Sequence, residues 1–117
     1  MNALVASSAS LAYRLQAPVI AIGTVTGKSA QQLSSFRPNA FISALTHDDY
    51  IARQLVLSWG VYPVVVPENA ESHTFETTMV DALRKRKFVK KGETAVLVWG
   101  SKIGISGTTN TVRTVTL

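Results

Sequence analysis

Four short apolar runs recur along the chain, and a segment of helical spacing precedes each of them. The runs are PVIAI (residues 18–22), residues 40–45, VYPVVV (residues 61–66) and TAVLVW (residues 94–99). Runs this short and continuous, rich in branched side chains, read as strands buried on both faces. A chain that alternates such strands with helices builds a mostly parallel sheet covered on both sides. The expected fold class is therefore α/β, in one domain spanning residues 1–117. The 18–22 run is apolar at every position, which places it at or near the sheet centre.

The helical segments are consistent with this frame. Residues 2–15 carry Leu4, Val5, Ser8, Leu11, Ala12 and Leu15, a stripe of small and apolar residues at helical spacing. Residues 29–36 stop before Pro38, which cannot continue a helix. Thr46 is the expected N-cap of the next helix, with Asp48 and Asp49 in its first turn, an end at Ser58 and Gly60 beyond. Residues 71–87 place Phe75, Met79, Ala82 and Leu83 on one stripe. Residues 111–117 alternate Val112 and Val115 with threonines and read as a last, half-exposed strand.

Composition removes several function classes. There is no cysteine, so disulfides, thiolate metal sites and cysteine nucleophiles are excluded. The two histidines, His47 and His73, stand apart, and no catalytic constellation or metal set is legible. No apolar run approaches the ~18 residues of a membrane span, and the N-terminus lacks a signal-peptide pattern. The expectation is a cytoplasmic chain without a membrane partner. Net charge is +5, and Arg84, Lys85, Arg86, Lys87, Lys90 and Lys91 supply half of the twelve basic residues. That run reads as the solvated last turn of a helix, where cations complement the macrodipole. No alternation of aromatic and basic side chains marks a stacking platform, so nucleic acid is not the expected partner.

The most informative segment is GTVTGKSA, residues 23–30. It leaves a buried strand and opens a helix at the carboxyl end of the sheet. Thr24, Thr26 and Ser29 bring hydroxyls there, Lys28 brings a charge, and Gly27 gives a ligand close access to the backbone. Together with Val25 they form a candidate phosphate-binding turn. Helix capping by Thr26 or Ser29 is the competing reading. A P-loop nucleotidase is excluded, because three residues rather than four separate Gly23 from Gly27. A second glycine- and hydroxyl-rich segment, residues 100–110, could close over such a ligand with Lys102, Gly104, Ser106, Gly107 and Thr108.

In this order, GTVTGKSA, LSSFRPNAFISALT, ARQLVLSWGVYPVVV, KKGETAVLVWG and GTTNTVR resemble the C-terminal domain of pyruvate kinase, over nearly the whole chain. The resemblance implies a three-layer α/β/α sandwich with five strands, the last antiparallel. It implies a regulatory domain that binds a phosphorylated small-molecule effector and makes subunit contacts in a homo-oligomer. Thr24, Val25, Thr26 and Ser29 would hold one phosphate, and residues 100–109 would form the effector loop. Catalysis, with magnesium and potassium, belongs in that family to a separate barrel. This chain alone is therefore expected to have no cofactor and to transfer no phosphate. One departure stands out: residues 67–79 carry no Trp, Arg or Lys, where members that bind fructose 1,6-bisphosphate hold its second phosphate with Trp and Arg. Two alternatives remain beside this reading: a structural oligomerisation module with a vestigial phosphate loop, and an independent binder of anions or nucleic acid.

Overall fold

A computed structural model describes residues 3–66, 72–100 and 109–117. The elements run α1 (Ala3–Leu15), β1 (Val19–Gly23), α2 (Lys28–Ser35), β2 (Phe41–Thr46), α3 (Asp49–Leu55), β3 (Val61–Val65), α4 (Ser72–Arg86), β4 (Thr94–Gly100) and β5 (Thr109–Thr116). They form one five-stranded sheet in the order β3-β2-β1-β4-β5. The β1–β2, β2–β3 and β1–β4 pairs are parallel, and β5 runs antiparallel to β4. The α/β class and the antiparallel last strand are as expected. So is the central place of the first strand, whose five residues are all buried.

The period-two alternation of the strands divides the core into two layers. Ile20, Ile22, Ile42, Ala44, Val96 and Val98 pack with Val5 and Ala12 of α1, Ala30 and Leu33 of α2, and Leu55 of α3. On the opposite face Val19, Ala21, Leu45, Ala95 and Leu97 pack with Met79, Ala82 and Leu83 of α4. Three helices thus cover one side and one helix covers the other. Each fully buried Ile or Leu here contributes about 1.5–3 kcal/mol relative to exposure.

Local chemistry moved several boundaries. The N-cap of α3 is Asp48, not Thr46: its Oδ1 accepts the Tyr50 N–H at 2.8 Å and the Ile51 N–H at 3.4 Å. Thr46 stays in β2, paired with Val65, and its Oγ1 accepts the Asp48 N–H at 3.2 Å. The helix ends at Leu55 rather than Ser58, and the chain reverses through Gly60, at φ +69°. Gly100 and Thr109, expected in the long loop, are paired strand residues instead.

Pro63 sits in β3, an edge strand. Val66 donates its N–H to the Thr46 carbonyl at 2.9 Å. Counting back in steps of two turns Val64 and Tyr62 the same way and leaves Pro63, which has no N–H to offer, toward the open edge. The Pro63 carbonyl accepts from the Arg86 guanidinium at 3.2 Å.

Candidate functional site

The strand-to-helix turns of a parallel α/β sheet leave from its carboxyl end, and the one between β1 and α2 leaves the central strand. Thr24 is buried; its N–H bonds to the Leu45 carbonyl at 2.9 Å and its Oγ1 accepts the Gly27 N–H at 2.9 Å. Thr24 therefore shapes the loop. Val25, Thr26 and Lys28 are exposed, and Ser29 is half-buried. Thr26 Oγ1 accepts from the Lys28 N–H at a long 3.4 Å.

Gly27 is the N-cap of α2, at φ +88°, a conformation that glycine adopts without strain. A Cβ there would stand 3.2 Å from Ile51 Cγ2 and 3.4 Å from Leu55 Cδ2. The glycine thus lets the turn lie against α3, an obligation separate from the access to ligand that its sequence context suggested. As an N-cap it also brings no side chain to the first-turn N–H groups of α2. The turn combines a helix N-terminus, a hydroxyl-bearing approach and Lys28 at the carboxyl edge of the central strand, where open α/β sheets bind their ligands.

The family model described as "Pyruvate kinase, alpha/beta domain" matches residues 2–115. This chain belongs to that family. The pyruvate kinase of Clostridium acetobutylicum is 34% identical over 99 residues, covering 85% of this chain and 21% of that protein. That of Geobacillus stearothermophilus is 33% identical over 96% of this chain and 19% of its own length. The enzyme of Lactobacillus delbrueckii subsp. bulgaricus is 36% identical, over 87% of this chain and 17% of its own length. The chain spans about a fifth of the curated relatives it matches.

Within the pyruvate kinase alpha/beta domain, then, the structure brings Thr24, Val25, Thr26, Gly27, Lys28 and Ser29 into one turn. Lys102, Gly104, Ser106, Gly107 and Thr108 lie outside the described residues. His47 is half-buried just before the α3 cap, its Nδ1 3.1 Å from the Val66 carbonyl oxygen. Asp49 pairs with Arg53 at 3.4 Å, both exposed, as helix-start charges do. No group of three His, Cys, Asp or Glu converges among the described residues, and no described helix is long and apolar enough to cross a membrane.

Sequence reasoning missed the opposite end of the sheet. There Phe41, Tyr62 and Phe88 form a ring cluster: Phe41 stacks on Phe88 at 5.2 Å, meets Tyr62 edge-on at 5.5 Å, and Tyr62 lies 5.2 Å from Phe88. The Arg37 guanidinium sits 5.6 Å from the Trp59 ring centroid. The rings come from β2, β3 and the turn after α4, so only the strand order makes them neighbours.

Proposed function

We propose that this chain is the regulatory domain of a cytoplasmic pyruvate kinase, binding the phosphate of a phosphorylated small molecule at the turn between β1 and α2. The carrying observation is the start of α2: a glycine N-cap with no capping side chain, at the carboxyl end of the buried central strand. Backbone N–H groups of that first turn, with the Thr26 and Ser29 hydroxyls, would accept the anion, and Lys28 would add its charge. Thr24 would hold the turn in shape from below. Lys102, Gly104, Ser106, Gly107 and Thr108 would close over the remainder of the ligand. The 117 residues by themselves would transfer no phosphate.

Calorimetric titration of sugar phosphates into the chain tests this. Each hydrogen bond to a charged phosphate is worth about 1.5–3 kcal/mol. The Thr26→Ala/Ser29→Ala variant should therefore bind roughly two to four orders of magnitude more weakly. Lys102→Ala should lose less, because an exposed charge is screened by solvent. Equal affinities in wild type and double variant would remove the site.

The association reading also has an observation behind it. Tyr13 is 79% exposed and Leu57 90%, large apolar side chains that a subunit contact would cover. Sedimentation of the chain at increasing concentration, with Leu57→Ser as comparison, tests whether they do.

A further inference from the structure

At the amino end of the parallel strands, three hollows run side by side. The first, about 510 Å³, is walled by Tyr13, Arg14 and Gln16 and shares Pro18 and Asn39 with the second. The second, about 530 Å³, is lined by Pro38, Ala40, Phe41 and Trp59, and shares Gly60 and Tyr62 with the third. The third, about 490 Å³, ends at Pro63 and Arg86. Joined through these shared residues they form a row, a groove with an arginine at each stage: Arg14 in the first hollow, Arg37 over the Trp59 ring of the second, Arg86 in the third.

The same end gathers a second run of positive charge. The last turn of α4 ends in Arg84, Lys85 and Arg86, and Lys87, Lys90 and Lys91 follow on either side of Phe88. Glu93 lies beside them, its carboxylate accepting the Lys90 backbone N–H at 2.7 Å. Helix-end cations complement the macrodipole. That accounts for Arg84 to Lys87 but not for Lys90 and Lys91, and not for the groove.

Backbone conformation supplies a second, independent sign. Arg37 and Lys87 have φ of +46° and +57°, at helix exits where glycine is the usual and less strained residue. Of the three strained non-glycine positions on this end, Gln16, Arg37 and Lys87, two thus carry exposed cations.

We infer that this groove binds an extended, acidic stretch of polypeptide. Its carboxylates would meet Arg14, Arg37 and Arg86, and its apolar or aromatic side chains would enter the hollows between them. Charge selects a polyanion. The rings select polypeptide over single-stranded nucleic acid: Phe41 and Phe88 already cover each other, Tyr62 closes on both, and Arg37 covers Trp59. Base stacking needs open ring faces, whereas proline- and alanine-lined hollows take side chains.

The test is fluorescence anisotropy on the unmodified 117-residue chain with a labelled twelve-residue peptide that alternates Glu with Leu and Phe. Its companions are the Lys-for-Glu analogue, the Ser-for-Leu/Phe analogue and a twelve-nucleotide oligo(dT). The acidic apolar peptide should bind saturably at low salt and weaken as screening shortens. The lysine analogue should not bind, and the serine analogue should bind at least about tenfold more weakly. Arg37→Glu and Arg86→Glu, both at exposed positions, should each weaken binding about tenfold. Absence of binding by the acidic peptide at low salt would overturn the inference. So would equal binding of the serine analogue, which means diffuse charge alone, or tighter binding of oligo(dT) that the same variants abolish. The peptide-side comparisons stand even if an arginine variant does not fold, and phosphate titrations at the far turn leave this outcome untouched.

Discussion

The two ends of the sheet are built on opposite rules. At the carboxyl end the described positive-φ residue is Gly27, pressed against Ile51 and Leu55, so its missing side chain is a packing requirement. At the amino end the positive-φ residues are Gln16, Arg37 and Lys87 together with Gly60 and Gly92, the two glycines standing in open space. The carboxyl-end turn gives up a side chain because packing leaves it no room, whereas the amino end has room and at three positions tolerates strain to keep one. A ligand at the first would be met by backbone and hydroxyls, and at the second by arginines and rings.

Substitution at Gly27 should break this contrast most severely. Gly27→Val must place a branched side chain at φ +88° and 3.2 Å from Ile51, and should cost about 2–4 kcal/mol. Gly60→Ala meets nothing within 4 Å and should cost only the conformational penalty of about 1–2 kcal/mol. Thermal melts giving equal losses would erase the distinction between a crowded glycine and a free one. Next in size is Asp48→Ala, which removes the two-fold cap of α3 and should cost about 1 kcal/mol. Phosphate affinity should stay unchanged, since α3 supports the turn through Ile51 and Leu55 and not through its cap. The smallest effect sharpens the other half: Lys87→Gly should raise stability by about 0.5 kcal/mol in chemical denaturation, strain relief outweighing added chain entropy. It should also weaken acidic-peptide binding. A loss of stability there would mean that the lysine side chain is held by the fold itself.

What the sequence revealed depended on how local the cause was. The central place of β1 was legible because an apolar run with no polar alternate fits only a strand covered on both faces. The candidate phosphate turn was legible for the same reason, its residues being contiguous. The α3 cap was not, because Thr46 and Asp48 are both good caps and the choice falls to strand pairing: Thr46 is held opposite Val65. The ring cluster was further out of reach. Residue 41 opens β2, residue 62 lies in β3 and residue 88 follows α4. They meet because Ser43 pairs with Tyr62 and α4 crosses back over the sheet. The sequence shows three scattered aromatics, and only register makes them a surface.

Pro63 and its arginine have a consequence for how copies of this chain could join. An incoming strand at the β3 edge would find no N–H at Pro63 and would have to displace Arg86 from its carbonyl. The other edge of the sheet, β5, carries no proline. A chain with one extendable edge can pair strand to strand with a second copy, and that pairing uses up the edge on both. Growth by strand addition therefore stops at two, where a chain with both edges open could add copies without limit.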